Sequence, residues 1–213
     1  MHLDADGFGA DAIGEQINVS RETCDRLETV IACLDDHRQR MNLIGPSEWS
    51  HIWRRHVADS LRLVPLISPD SRIVDFGSGG GFPALPLACF LTVEGAGHIH
   101  MVESSGKKAA FLRAAIKAAD LRATVWNERL ENIAPFTVDI VTARAFARLP
   151  KLLDYAHPWL KNSTIGLFHK GERWKEELMH ATKTWNFAHE AISKRDGGPG
   201  IILKVSEVSR GSA

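Results

Sequence analysis

The sequence predicts an α/β fold built on a mostly parallel sheet of seven strands that ends in an antiparallel hairpin. From Ser71 onward, short apolar runs alternate with helical segments, a pattern typical of a parallel sheet covered by helices. A glycine-rich stretch directly follows the first of these runs. Near the end of the chain, two strand-like segments are joined by residues 196–200, which leave no room for a helix.

The periodicity of apolar residues places the individual elements. Strands are predicted at 72–76, 98–103, 123–126, 138–142 and 163–169, and hairpin strands at 185–192 and 201–207. Helices are predicted at 83–92, 105–119, 150–160 and 172–183. Upstream, Ser20 suits the N-cap of a helix that runs to about Arg40, and a second, kinked helical region extends over 46–66. We therefore expect a helical cap over residues 1–66, with a flexible acidic leader at 1–15, and a core over 67–213.

Composition indicates an ordinary globular protein that is cytoplasmic and, by default, monomeric. Of 213 residues, 44% are hydrophobic and 24% are charged, and no apolar run approaches the length of a membrane span. Three cysteines without a Cys-x-x-Cys pair, together with scattered histidines, predict reduced thiols and no metal site. Residues 1–36 carry nine acids and two bases, a net charge of −7, so the remainder carries +7. That asymmetry allows a phosphate-bearing partner without requiring one.

The segment 75–83 links the first predicted strand to a helix and is the strongest candidate for a ligand site. Its glycines, Gly77, Gly79 and Gly81 among them, permit a sharp turn and let a ligand approach bare backbone. The segment lacks the lysine of a Walker loop, and Phe82 stands where the dinucleotide fingerprint has its third glycine. With Asp75 at the strand end, the pattern favours a nucleoside with an ammonium group and no phosphates, which describes S-adenosylmethionine.

Two further strand ends bear on the reaction. Glu103, 22 residues after Gly81, lies where an acid accepts hydrogen bonds from a ribose, although it could equally cap a helix. A ribose is common to NAD and S-adenosylmethionine. The fourth strand ends without the Asn-Pro-Pro-Tyr type of motif that serves exocyclic amines, and no cysteine is there for covalent attack on a pyrimidine. Direct attack by an atom that is already nucleophilic remains, with alignment as the main catalytic contribution.

Seven short stretches of the sequence match family motifs in their order along the chain: 41–44, 55–61, 75–86, 102–112, 127–131, 143–145 and 170–171. Together they resemble the bacterial 16S rRNA guanine-N7 methyltransferases, also called glucose-inhibited division protein B. Ala84 replaces a usual glycine and Ala143 a frequent serine, and both changes exchange one small residue for another. The segments before 41 and after 171 resemble the family weakly.

The resemblance implies a class I, Rossmann-like methyltransferase that acts on N7 of one guanine, in 16S rRNA or in the small ribosomal subunit. Guanine N7 has an in-plane lone pair, so no base is needed, but the product ring is cationic and that charge should be relieved. By the resemblance, Gly77, Phe82, Leu130, Glu131 and Arg144 line the cofactor site. They join Asp75, Gly79, Gly81 and Glu103 as the expected cofactor-binding residues. The implied catalytic residues are Arg144, Arg129 and Lys170.

Arg144 is expected to reach the cofactor carboxylate or guanine O6, and O6 alone is favoured because a bidentate contact would block N7. A structural salt bridge is the alternative for Arg144. For Arg55, His56 and Asp59, an ion pair between cap and core and a functional role are equally compatible with the sequence. Lys107 and Lys108 either touch phosphate or face solvent.

Three other functions are less compatible with the sequence. A small-molecule methyltransferase would suit the sequence pI of 7.2, but the seven stretches argue against it. An NAD-dependent oxidoreductase is disfavoured by the misplaced third glycine. A ribosome-binding module without catalysis is disfavoured by the intact set of site residues, namely Asp75, Gly77, Glu103 and Arg144.

Overall fold

The computed structural model describes residues 2–161, 163–194 and 198–211, and their centre is one sheet of seven strands. The strands are β1 (Arg72–Phe76), β2 (His98–Val102), β3 (Ala123–Trp126), β4 (Ile140–Arg144), β5 (Ile165–Lys170), β6 (Trp185–Ser193) and β7 (Ile201–Arg210). Their order across the sheet is β3-β2-β1-β4-β5-β7-β6. The first five strands pair in parallel, and β7 lies antiparallel between β5 and β6. The predicted mixed sheet is confirmed.

The helices occupy both faces of this sheet. They are α1 (Ala10–Ile17), α2 (Arg21–Arg38), α3 (Pro46–Trp49), α4 (Asp59–Leu61), α5 (Ala84–Glu94), α6 (Gly106–Ala118), α7 (Leu149–Ala156) and α8 (Trp174–Ala181). Short 3-10 turns add Val64–Leu66 and Leu130–Asn132. The helix predicted at 150–160 ends earlier, at Ala156. Residues 195–197, part of the predicted connection between the hairpin strands, lie outside the described residues.

Alternate residues of the parallel strands serve the two helical layers. Ile73 of β1 packs with α2, α5 and α6, while Val74 packs with α7 on the other face. A strand buried on both sides needs apolar residues at successive positions, which β1 has at Ile73 and Val74. This arrangement places the carboxyl ends of β1, β2, β4 and β5 along one edge, where ligands of open α/β sheets bind.

The predicted flexible leader at 1–15 is wrong. Helix α1 begins at Ala10, and Phe8 and Ile13 are buried in the core. Asp4 is only 4% exposed, and its carboxylate accepts hydrogen bonds from the backbone N–H groups of Trp53 and Arg54, both at 2.9 Å. The sequence shows acids and glycines locally, whereas the partners that order this segment lie some fifty residues further along the chain.

The second predicted helical region, residues 46–66, is helical but irregular, in agreement with the kink expected there. It contains a π-helix, Trp53–Ala58, between the short α3 and α4. A π-helix is rare and usually occurs at functional sites, and this one carries Arg55 and His56. Within the described ranges, the structure contains no helix that is both long and apolar enough to span a membrane.

Candidate functional site

Two cavities open at the carboxyl edge of the parallel strands. The smaller, of about 290 Å³, is lined by Gly77, Val102, Glu103, Ser104, Glu128, Arg129, Leu130, Glu131, Phe146 and Tyr155. The larger, of about 530 Å³, is lined by Asp59, Arg62, residues 144–148, His169, Lys170, Gly171, Glu177, Lys194 and residues 199–201. Seven of the predicted site residues line these cavities: Gly77, Glu103, Arg129, Leu130 and Glu131 the smaller one, and Arg144 and Lys170 the larger one.

The side chain of Asp75 is fully buried beneath the glycine loop. Its Oδ1 accepts a hydrogen bond of 2.7 Å from the Thr142 hydroxyl, and its Oδ2 has no partner within the described part of the chain. Burial raises the pKa of Asp75 to about 6, although the Ser78 and Thr142 hydroxyls favour its charged form. A buried carboxylate oxygen without a partner is costly unless a ligand donates to it.

Of the predicted cofactor-binding residues in the glycine loop, Gly77 lines the smaller cavity, whereas Gly79, Gly81 and Phe82 do not. Gly77 has φ +65°, and a Cβ there would lie 2.5 Å from Cδ2 of Phe146. Gly79 and Gly81 also have positive φ, and Phe82 packs against the His56 ring at 5.0 Å between centroids. Gly79, Gly81 and Phe82 lie outside the lining of both cavities, so the structure gives them a role in shaping the turn.

Glu103 lines the smaller cavity, and its carboxylate also accepts hydrogen bonds from two backbone N–H groups. Its Oε2 accepts from the N–H of Gly79 at 2.9 Å, and its Oε1 accepts from the N–H of Ser105, the residue before α6, at 2.7 Å. Both predicted alternatives, a ligand contact and a helix cap, are compatible with this geometry, because each carboxylate oxygen has a second lone pair.

The short turn Leu130–Asn132 forms another wall of the smaller cavity. Leu130 is buried, and the exposed Glu131 accepts a hydrogen bond of 3.0 Å from the hydroxyl of Tyr155. Arg129, predicted as an RNA or guanine contact, is exposed on this cavity and is not part of the larger one. The structure therefore separates Arg129 from Arg144 and Lys170.

Arg144, the last residue of β4, reaches the larger cavity from a mostly buried position. Its Nη2 donates to Nδ1 of His56 at 2.9 Å and to the carbonyl of Arg55 at 3.2 Å. Its Nη1 lies 3.9 Å from Oδ2 of Asp59 and makes no hydrogen bond to any described residue. Burial lowers the pKa of this guanidinium, which nevertheless stays charged.

His56 links Arg144 to the cap. Burial and the neighbouring Arg144 lower the pKa of His56 to about 4, so its imidazole is neutral near pH 7. It accepts at Nδ1 from Arg144 and therefore donates from Nε2 to Glu48, at 2.8 Å. Glu48 also pairs with Arg55 at 2.8 Å. Arg55 and His56 thus join the cap to the core.

The carboxylate of Asp59 lies near three cationic side chains, those of Arg62, Arg144 and Lys194. It lies 3.0 Å from Arg62 and 3.2 Å from Lys194. Burial acts to raise the pKa of Asp59, but His169, Lys194 and Arg144 outweigh it and hold that pKa below its usual value. The carboxylate therefore stays ionised at the side of the larger cavity.

Lys170 is buried in an ion pair at the edge of the larger cavity. Its Nζ lies 2.6 Å from Oε2 of Glu177 and donates to the carbonyl of Ala147 at 3.0 Å. Its charge is therefore already partnered. Lys107 and Lys108 lie outside the lining of both cavities.

Three residues that line the cavities, His169, Phe146 and Tyr155, were not predicted from the sequence. His169 pairs in register with Arg144 across β4 and β5, and its Nε2 donates to the carbonyl of Asp59 at 3.0 Å. Burial lowers the pKa of His169 to about 4. Phe146 follows Arg144 by two residues, a proximity that was the available signal for it. Tyr155 lies on α7 and offered no signal in the sequence.

The comparisons with solved structures define the class. An O-methyltransferase from Bacillus cereus, solved in complex with SAH, matches with a TM-score of 0.59 and 15% identity, covering 93% of this chain and 96% of that one. TYW2 of P. horikoshii, solved with MeSAdo, matches with a TM-score of 0.54 and 17% identity, covering 76% and 63%. The chain thus has the Rossmann-like methyltransferase fold.

Sequence relatives identify the family. The GidB family model, described as rRNA small subunit methyltransferase G, matches residues 23–195. The ribosomal RNA small subunit methyltransferase G of Hyphomonas neptunium is 55% identical over 193 residues, which cover 91% of this chain and 92% of that protein. That of Paramagnetospirillum magneticum is 41% identical over 207 residues, covering 97% and 99%. The chain belongs to this family of rRNA small subunit methyltransferases, as the resemblance predicted.

Proposed function

We propose that this protein transfers a methyl group from S-adenosylmethionine to N7 of a specific guanine in 16S ribosomal RNA. The observation that carries this proposal is a pair of adjoining cavities, one bordered by Glu103 and Leu130 and the other by Arg144. A transferase for two substrates needs such neighbouring compartments. The family, whose members are named for the small-subunit rRNA, supports the substrate.

The residues of the smaller side suit S-adenosylmethionine. The free lone pairs of Glu103 suit ribose hydroxyls, and the unpartnered Oδ2 of Asp75, buried outside the lining of the cavity, suits an ammonium group. Buried Leu130 offers an apolar surface for adenine. When bound, this cofactor supplies a methyl group on a positively charged sulfur. Gly77 is the member of the loop that meets the cavity directly.

The larger cavity suits the acceptor base. Arg144 lines this cavity, and its buried Nη1 has no hydrogen-bond partner among the described residues, so its guanidinium is proposed to donate to guanine O6, which holds the base while N7 stays free. The N7 lone pair attacks the methyl carbon, and the carbon–sulfur bond breaks with its electron pair left on sulfur. No proton moves, so no general base is required. The positive charge passes to the guanine ring, and the ionised Asp59 near Arg144 offsets it.

Arg129 and Lys170 are proposed to contact RNA. Exposed Arg129 is suited to a backbone phosphate at the rim of the smaller cavity. Lys170 is suited to the base or its nearest phosphate, because it borders the larger cavity, and Glu177 keeps it in place. Guanine N7 is inaccessible in the narrow major groove of paired RNA, so the target is an unpaired or opened region, in free 16S rRNA or in the small subunit.

The protein is proposed to act in the cytoplasm, where its rRNA substrate is assembled, and as a monomer. Size-exclusion chromatography with light scattering should give a mass near 23.6 kDa. A mass twice that value at assay concentrations would contradict the monomer.

A labelling assay tests the function. The purified protein, labelled S-adenosylmethionine, and 16S rRNA or small subunits from cells that lack this activity should yield labelled nucleosides. We expect the label in 7-methylguanosine. Label in another nucleoside, or none with either substrate, would contradict the proposal. Calorimetry with NAD, which should show no binding, separates this cofactor site from a dinucleotide site.

Arg144 gives a second test. Replacing it with lysine keeps the charge but removes the planar fork, and replacing it with alanine removes both. Loss of a hydrogen bond to a charged group costs about 1.5–3 kcal/mol, so turnover should fall by roughly 10- to 150-fold in both variants. Arg210→Ala, which removes an exposed pair with Asp154, is the matched control and should turn over normally. Thermal unfolding of each variant separates catalytic from structural loss. Wild-type turnover in Arg144→Ala would remove Arg144 from the reaction.

A further inference from the structure

Phe146 is the one described residue that lines both cavities. It lies between the end of β4 and the start of α7, two residues after Arg144, and is half-buried. A methyl group that passes from one cavity to the other must pass beside this ring. The position of Phe146 therefore matters for both substrates of the proposed reaction.

The backbone and its neighbours hold the ring at this junction. Ala145 has φ +53°, a left-handed conformation that non-glycine residues rarely adopt and that is found at functional sites. The ring packs against Phe76 at 6.1 Å and edge-on against Tyr155 at 5.4 Å between centroids. Its Cδ2 lies so close to Gly77 that no side chain fits there. Four separate features thus fix where Phe146 points.

Apart from Phe146, the apolar side chains in the described lining of the larger cavity are aliphatic, and none of them offers a base a flat aromatic face. Its lining is rich in charged groups, among them Asp59, Arg62, Lys170 and Lys194. A nucleobase removed from its stack needs a face contact as well as hydrogen bonds to its edge, and aromatic side chains commonly provide that contact. Phe146 is the phenyl ring in the described lining, and Arg144 on the same short stretch supplies the edge donor.

We propose that the acceptor guanine stacks on the ring of Phe146, which positions N7 at the junction of the two cavities. This inference rests on the proposed function. With O6 held by Arg144 and one face held by Phe146, the base has both its in-plane and its out-of-plane position fixed. The π-face of the ring also lies beside the positive charge that moves from sulfur to the base, an arrangement that is electrostatically favourable.

Two variants separate the aromatic face from simple bulk. Phe146→Leu keeps an apolar side chain but removes the ring, and Phe146→Tyr keeps the ring. Base–aromatic stacking corresponds to about 5- to 150-fold in binding by alanine substitution. We expect kcat/KM for small subunits or 16S rRNA to fall by at least about tenfold in Phe146→Leu, within that range, and to stay within about threefold of wild type in Phe146→Tyr.

Binding measurements distinguish this role from a role in the cofactor site. Calorimetry with S-adenosylhomocysteine should give dissociation constants for both variants close to that of wild type. Filter binding of small subunits in the presence of S-adenosylhomocysteine should show weaker binding by Phe146→Leu alone. Phe136→Leu is the matched control, because Phe136 packs with Trp126 and Trp159 outside both cavities. Should Phe146→Leu unfold, Phe146→Met serves the same comparison.

The outcomes separate the two proposals. If wild type forms no 7-methylguanosine, the proposed function fails and this inference fails with it. If wild type forms it and Phe146→Leu has the wild-type kcat/KM, the function stands and the stacking role is overturned. Weaker binding of S-adenosylhomocysteine with unchanged binding of small subunits would assign the ring to the cofactor instead, and would also overturn the inference.

Discussion

At the scale of single residues, Asp75 shows how a fold prepares a charge for a ligand. The carboxylate is buried with one oxygen bonded to Thr142 and the other without a partner among the described residues. Burial raises its pKa to about 6, so a fraction of the free protein carries it protonated in mildly acidic solution. A ligand ammonium group would favour the ionised form and draw the pKa down again.

The affinity for S-adenosylmethionine should therefore depend on pH. Below pH 6, binding must release the proton of Asp75, and each unit of pH costs up to about tenfold in affinity. Affinity should rise between pH 5 and 6.5 and then level off, with proton release detectable by calorimetry in buffers of different ionisation enthalpy. Asp75→Asn, of nearly equal shape, should bind more weakly and without this dependence. A flat profile for the wild-type protein would contradict the assignment of Asp75.

The sequence allowed part of the site to be predicted, because some residues lie at strand ends that follow recognisable patterns. Asp75, Glu103 and Arg144 each end or follow a strand of the parallel sheet, and such residues collect at one edge. His169 and Phe146 could not be assigned, because their roles depend on the register of β4 with β5 and on a left-handed residue at 145. Neither feature has a local sequence signal.

At the scale of elements, the first fifty residues show a tertiary contact overriding local sequence. Asp4 accepts hydrogen bonds from Trp53 and Arg54, the first residues of the π-helix, and so satisfies N–H groups at a helix start. This is the role of an N-cap side chain, supplied from a distant segment. The helices after Ser20 and the strands of the sheet were predictable from periodicity, whereas α1 depends on this contact and on buried Phe8.

Asp4→Ala should consequently destabilise the cap. Removal of a capping side chain costs about 0.5–2 kcal/mol, and burial of Asp4 places the expected loss in the free energy of unfolding toward the upper end. Urea unfolding at pH 7 measures it. Asp6→Ala, which removes an exposed pair with Arg54, is the matched control and should cost clearly less than Asp4→Ala. Equal losses in the two variants would show that the contacts of Asp4 are not structural.

At the scale of the whole molecule, two buried histidines link stability to pH. The pKa values of His56 and His169 are lowered to about 4 in the folded protein, from 6.5 in the unfolded chain, and the half-buried His100 shows the same lowering. As pH falls below 6.5, the unfolded chain takes up protons that the folded protein does not, so the free energy of unfolding falls until about pH 4. Asp75, with its raised pKa, opposes this change over part of the same range.

The protein should thus lose stability between pH 6.5 and pH 4.5. Each histidine contributes at most roughly 1.4 kcal/mol per pH unit, and the opposing Asp75 reduces the sum. Urea unfolding across this range should show the decrease, and His169→Gln should flatten it. His51→Ala, a change at an exposed histidine, should leave the slope of the wild-type protein unaltered. Stability that is constant or rises on acidification would be inconsistent with neutral, buried imidazoles.

The π-helix Trp53–Ala58 has a consequence for how this protein tolerates change in length. An α-helix advances about 100° per residue, so deleting one residue here would restore regular winding and rotate everything beyond it by that angle. Asp59, which moves together with Arg62, would leave Lys194 and Arg144, or else Asp4 would lose Trp53. Surface loops usually absorb insertions and deletions, but here the count of residues in one turn sets the alignment of cap and core. A homologue one residue shorter in this turn should therefore carry compensating changes at these partners.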